Sequence, residues 1–249
     1  MLAATACGSD TPDPQTAPSD QVGPESAPAA SNGAPAGSDS APLASGSAPV
    51  ASDRAPTASQ PSGAVRCVVR LHGKGGTGGA SFETDGIVQV WPTGNADGWG
   101  ARQWIYFPDD SYAEARDIVA AAAGAEGCDR FVVDGFSNGA AFAGKLYCRG
   151  ETFDGRLAGV VIDDPVPDNG AADCTPSPDV AGALYWTGGL ESQAQPGMDC
   201  AAIDWTCDGG TLIGIDAYAG SLGLDVQISP FTDHEWYLDA PEIAAWLAS

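Results

Sequence analysis

Apolar and polar positions divide the chain into two regimes. Up to about residue 62 there is no aromatic residue and few large aliphatic ones, whereas from residue 63 onward short continuous apolar runs alternate with alanine-rich stretches. "VRCVVRL" (65–71), "GIVQVW" (86–91), "RFVVDG" (130–135), "LAGVVID" (157–163), "GALYWT" (182–187) and "LDVQIS" (224–229) are rich in β-branched residues. Their continuity predicts strands buried on both faces, as in a parallel sheet. "DSYAEARDIVAAAAG" (110–124) predicts a helix capped by Asp110 or Ser111 and closed by Gly124. "NGAAFAGKLYC" (138–148), "GTLIGIDAYAGSLG" (210–223) and "APEIAAWLA" (240–248) predict three more. Strands alternating with helices give an α/β fold, a three-layer α/β/α sandwich with a mostly parallel sheet.

Residues 8–62 are mainly Ala, Pro, Ser, Gly and Asp. Such a segment cannot bury enough apolar surface to offset its ordering entropy, so a disordered, loosely extended tether is expected. Residues 63–249 then form one domain, which holds all seven Trp, six Tyr and seven Phe. In "LAATACGSD", small residues precede Cys7 and a polar stretch follows. This resembles a bacterial lipobox, with residues 1–7 the remnant of a lipoprotein signal and Cys7 the acylated residue. Only Leu2 to Ala6 precede that cysteine, without a basic region or a full apolar one. The alternatives are a start placed too late and a stray thiol. No apolar run is long enough to span a bilayer, so membrane contact is expected only through a lipid on Cys7.

The formal charge is −23. The tether carries six acids and one base, Arg54, and most of the negative charge therefore lies on the domain. This excludes nucleic acid as a partner, since phosphate binding needs clustered Lys and Arg. It also disfavours anionic membranes and polyanionic substrates. With only two histidines, and none of the seven cysteines in a paired CxxC pattern, no zinc site is expected. The six cysteines of the domain suggest three disulfides and an oxidising compartment, so the protein is expected to be secreted or extracytoplasmic.

The candidate chemistry centres on "VVDGFSNGAAFAGKL" (132–146). A strand, Gly135-Phe136-Ser137-Asn138-Gly139 and a helix start follow one another. In a nucleophile elbow the serine occupies a sharp, strained turn, small residues two before and two after it avoid clashes, and the helix N-terminus favours negative charge. A second feature, "LHGKGGTGG" (71–79), follows the first strand. It reads as an oxyanion loop in which the Lys74 N–H joins that of Asn138, with His72 a structural, hydrogen-bonded histidine. Gly73 to Gly78 also satisfies GxGxxG, but that fingerprint needs a helix, and the next strand starts too soon. The base is then His234, in "SPFTDHEWYL" between the last strand and the last helix. The acid is expected after the strand 182–187 and before His234. Asp204 in "CAAIDWTC" is the first candidate and Glu191 in "TGGLES" the runner-up, with Asp199 and Asp208 behind them.

Elbow, glycine loop, late histidine and strand order resemble the α/β-hydrolase superfamily. Within it, residues 64–249 are most similar to small secreted esterases of the polyhydroxybutyrate depolymerase and feruloyl/acetylxylan esterase type. "CAAIDWTC" is similar to the C-x₃-D-x₂-C loop that carries the catalytic Asp of cutinases. The resemblance implies a compact α/β-hydrolase fold and the bridges Cys67–Cys128, Cys148–Cys174 and Cys200–Cys207, one of fifteen connectivities that six cysteines allow. It implies an extracellular serine esterase with a Ser137–His234–Asp204 triad, an acyl-enzyme and no cofactor or metal. The substrate would be a small or polymeric ester (polyester, phenolic or polysaccharide-linked), and the protein a monomer. Trp99, Trp104, Trp205 and Trp236 are candidate cleft residues, with core packing as the alternative for the cluster around Trp91, Trp104 and Tyr106. A serine peptidase or amidase of the same fold, or a non-catalytic binding module, is the other functional reading.

Overall fold

The computed structural model describes residues 63–98, 101–190 and 193–249. The tether, the signal remnant and Cys7 lie outside the described residues, as do Trp99 and Glu191. In chain order the elements are β1 (Arg66–Leu71), β2 (Gly79–Thr84), β3 (Ile87–Trp91), β4 (Ala96–Gly98), β5 (Ala101–Gln103), α1 (Asp109–Ala125), β6 (Arg130–Phe136), α2 (Asn138–Cys148), β7 (Leu157–Asp163), β8 (Ala181–Trp186), α3 (Ile215–Leu222), β9 (Val226–Ile228) and α4 (Pro241–Ala248). Short 3₁₀ turns occur at Asn169–Ala171 and Ala201–Ile203.

Among the described residues, seven strands form one sheet in the order β2-β3-β1-β6-β7-β8-β9, and β4 pairs with β5. β2 is antiparallel to β3, and every other neighbour is parallel. Central strands bury both faces because successive side chains enter different layers. Val69 and Leu71 of β1, Phe131 and Val133 of β6 and Val160 and Ile162 of β7 join the larger core with α1, α2 and α3. Val68, Val132 and Val161 point the other way, into a smaller core with Ile243 and Leu247 of α4. The result is a three-layer α/β/α sandwich with a mostly parallel sheet.

Several local expectations need correction. No side chain caps α1: Pro108 holds the cap position, with Asp109 and Asp110 in the first turn, where acids suit the helix dipole. The helix passes Gly124 to Ala125, and the left-handed residue beyond it is Gly127, at φ 66°. α3 is shorter than 210–223, because Thr211 bridges Asp199 and the Leu212 N–H donates to the Met198 carbonyl at 3.0 Å. β2 was hidden behind the glycine loop. Its signal was Asp85-Gly86, which turns into β3 with both residues at positive φ, as a two-residue hairpin loop requires. The glycine loop therefore runs into a strand, not into the helix that a dinucleotide fingerprint needs.

Three disulfides join Cys67 to Cys128, Cys148 to Cys174 and Cys200 to Cys207. The first ties β1 to the entry of β6 and spans 61 residues, whereas the third spans seven. In the loop-entropy account these separations correspond to roughly 4 and about 2.5 kcal/mol. Denaturant unfolding is therefore expected to show a larger stability loss for the Cys67→Ala/Cys128→Ala pair than for Cys200→Ala/Cys207→Ala.

Candidate active site

The chain reverses side between β1 and β6: β3 lies on one side of β1 and β6 on the other. The crevice at such a switch point lies beyond the carboxyl ends of the strands. Ser137 sits there, as the single residue between β6 and α2, with φ 55° and ψ −118°. That conformation lies outside the regions open to most L-residues and costs on the order of 1–3 kcal/mol. Its N–H donates to the Asp163 carbonyl at 3.0 Å, and its carbonyl accepts from the Ala141 N–H at 3.1 Å. A Cβ on Gly135 would overlap the Gly139 carbonyl, and one on Gly139 would overlap that of Leu71. Both glycines are thus dictated by the close approach of strand, helix and β1.

The glycine loop leaves β1 and lies over the elbow, since a Cβ on Gly73 would stand 3.0 Å from that of Ser137. Buried His72 holds this loop. Its Nδ1 donates to the Gly73 carbonyl at 2.8 Å, and its Nε2 accepts from the Gly94 N–H at 3.0 Å. A carbonyl only accepts and an amide N–H only donates, so this pair of bonds fixes a neutral tautomer. Burial lowers the His72 pKa further in that direction. The Asn138 side chain clamps the Trp104 backbone, accepting from its N–H at 2.7 Å and donating to its carbonyl at 3.1 Å. The Asn138 N–H lies in the first turn of α2, where backbone donors have no intrahelical acceptor.

His234 follows β9, and its Nδ1 stands 2.5 Å from the Asp164 Oδ2. Asp164 is the first residue after β7 and fully buried, at φ 49°. Its carboxylate also accepts from the Thr187 N–H at 3.1 Å and hydroxyl at 2.9 Å, so three donors compensate its burial. The imidazole stacks on Phe136, the residue before Ser137, with ring centroids 4.4 Å apart. Two further buried acids secure the same segment. Asp163 accepts from the Tyr237 N–H at 2.5 Å, and Asp134, ion-paired with Arg70, accepts from the Trp236 indole N–H at 3.2 Å.

A cleft of about 360 Å³ opens on Ser137 and Asn138. Its walls come from Lys74 of the glycine loop, Gln103 of β5, Val166, and residues 203–206 of the disulfide loop. Asp204 is therefore at the cleft but does not hold the histidine. Its carboxylate is exposed and paired with Lys74 at 2.9 Å, and the acid partner of His234 is Asp164, one strand earlier in the chain. Asp208 pairs instead with Lys145, and Asp199 caps the Ala201 N–H. Trp205 lines the cleft. Trp104 is fully buried and stacks on Phe142, Tyr106 is buried against Asp168, and Trp236 packs against Phe136 and Trp91. These three serve packing, with only Trp205 facing the cleft among the described tryptophans proposed for it. The signal for Asp164 was the acid pair Asp163-Asp164 closing an apolar strand beside the elbow strand.

The Oδ1 of Asp163 is buried without a partner among the described residues. Burial, reinforced by the neighbouring Asp134 and Asp164 carboxylates, pushes its carboxyl up to about 7 against the opposing Tyr237 hydrogen bond. Burial likewise raises Asp134 to about 6, with Arg70 and Trp236 opposing. A carboxyl whose pKa is raised on folding contributes stability below its unfolded value, near 4, and loses it as pH rises through the folded value. Asp163→Asn mimics the protonated group. Its thermal stability relative to the parent is expected to increase as pH rises from about 4 to about 7, measured by unfolding at each pH.

No protein-family model matches the chain, and no curated protein matches it. Among solved structures it is similar to the Bacillus cereus carboxylesterase, at 15% identity and a TM-score of 0.45 over 74% of this chain and 86% of that one. It is also similar to Atu2452, a protein of unknown function from Agrobacterium tumefaciens strain C58, at 16% identity and a TM-score of 0.41 over 74% of this chain and 89% of that one. A third likeness is to YahD, solved with malic acid, at 14% identity and a TM-score of 0.42 over 74% of this chain and 91% of that one.

Proposed function

We propose that this protein is a serine hydrolase that cleaves carboxylic esters outside the cytoplasm. The observation that carries the reading is the bond from His234 Nδ1 to the buried Asp164, with the imidazole stacked on Phe136 next to a serine held at φ 55° on a strand–helix elbow. With its Nδ1–H bound to a carboxylate, the imidazole presents Nε2 as a proton acceptor. Ser137 Oγ attacks the ester carbonyl while His234 takes its proton, and Asp164 stabilises the resulting imidazolium. The N–H groups of Asn138 and Lys74 receive the oxyanion. His234 then returns the proton to the leaving alcohol. Water hydrolyses the acyl-enzyme by the same route. The three disulfides fit an oxidising compartment, and among the described residues no helix is long and apolar enough to cross a membrane. Trp205 gives the cleft an aromatic wall suited to a phenolic or sugar-linked ester or a polyester segment.

Hydrolysis of p-nitrophenyl acetate and butyrate tests this reading. Ser137→Ala and His234→Ala are expected to lose about 10⁴- to 10⁶-fold in kcat, and Asp164→Asn about 10⁴-fold. A folded wild-type protein that turns over neither ester and whose Ser137 fails to react with a fluorophosphonate would overturn it.

A further inference from the structure

Lys74 stands between Gly73 and Gly75-Gly76, so the backbone on either side of it has little intrinsic preference for one conformation. An N–H meant to meet an oxyanion must nevertheless be held in place. The Lys74 ammonium reaches across the cleft and donates to the Asp204 carbonyl at 2.6 Å and its carboxylate at 2.9 Å. Asp204 is itself fixed. It takes a left-handed conformation, φ 56° and ψ 35°, at the end of the 3₁₀ turn Ala201–Ile203. Its N–H donates to the Ala201 carbonyl at 3.3 Å, the Trp205 N–H donates to that of Cys200 at 2.8 Å, and the Cys200–Cys207 bridge closes the loop.

The connections form a ring around the cleft. From Asp204 the chain leads to Thr206, whose hydroxyl donates to the Gln103 Oε1 at 2.7 Å. Gln103 is buried on β5, and the carbonyl of the preceding Arg102 accepts from the Gly75 N–H at 2.8 Å. Gly75 leads back to Lys74. The glycine loop, β5 and the disulfide loop are thus bound pairwise, and the ion pair is the most exposed link, with Asp204 at 75% side-chain exposure.

We propose that Asp204 is a positioning residue that fixes the backbone N–H of Lys74 for the oxyanion, with the Cys200–Cys207 bridge as its support. This rests on the serine-hydrolase reading above. Removing the link takes one carboxylate from the cleft wall but chiefly loosens one oxyanion donor, so its effect falls on kcat more than on KM.

The test compares Asp204→Ala, Asp204→Asn and Asp204→Glu with wild type on p-nitrophenyl acetate and butyrate, after circular dichroism shows each to be folded. Inhibition by a trifluoromethyl ketone, whose serine adduct carries an oxyanion, is measured in parallel. Asp204→Ala is expected to lower kcat about tenfold, less than outright loss of a donor, with KM within about twofold. It should weaken the ketone by a similar factor. Asp204→Asn should fall between, Asp204→Glu should recover part of the loss, and a folded Cys200→Ala/Cys207→Ala variant should match Asp204→Ala. An unchanged or increased kcat in Asp204→Ala, a change in KM alone, or a gain on the longer ester would each overturn the proposal. If Ser137 of the wild type reacts with a fluorophosphonate while Asp204→Ala keeps full kcat, the positioning role fails and the hydrolase reading stands. If Ser137 does not react and neither ester is hydrolysed, both fall.

Discussion

Everything at the candidate site depends on how closely β1, β6 and α2 approach one another. Two glycines leave no room for a side chain between the strand, the helix and the end of β1, and the chain must turn within one residue. That turn forces Ser137 into a costly backbone conformation. The surrounding sheet bonds hold it, since its N–H is bound to β7 and its carbonyl to the first turn of α2. The strain is affordable because it sits where the packed core is continuous on both faces of the sheet.

Around that fixed point, the histidine segment has little regular structure of its own. It is held by carboxylates. Asp164, Asp163 and Asp134 project from two adjacent strands and bind His234, Tyr237 and Trp236 in turn. Burying three acids together is unfavourable, and the raised pKa values of Asp163 and Asp134 express that cost. Donors from Thr187, Arg70 and the segment itself offset it. The same interactions therefore specify one position for the imidazole, in a loop that also makes aromatic contacts to Phe136, Trp91 and Tyr185.

The cleft wall is built differently. It consists of loops cross-tied by a short disulfide, side-chain hydrogen bonds and one ion pair. In a domain this acidic, Lys74 is the one cation among the described residues lining the cleft at Ser137, and it is paired with Asp204. Such ties add to the packing of Cys200, Cys207, Ile203 and Trp205 against the larger core.

The sequence by itself determined the parallel strands, the four helices, the elbow glycines and the histidine position, because these depend on local periodicity and on steric needs within a few residues. Residues 138–148 form the expected helix, and His72 is tied into the glycine loop as its place there implied. β2 was not read from the sequence, because its own residues lack a strand's apolar alternation and only the Asp85-Gly86 turn marks it. The acid was different. Chain order pointed to Asp204, Glu191, Asp199 and Asp208, and Asp164 was not among the acids read from the sequence. Only the tertiary structure brings Asp164 to His234. The β7–β8 register places Asp164 beside Thr187 and under His234, while the disulfide loop turns Asp204 toward Lys74. Partner choice among like-charged side chains depends on distances across strands that are remote in sequence, and no local pattern encodes those distances.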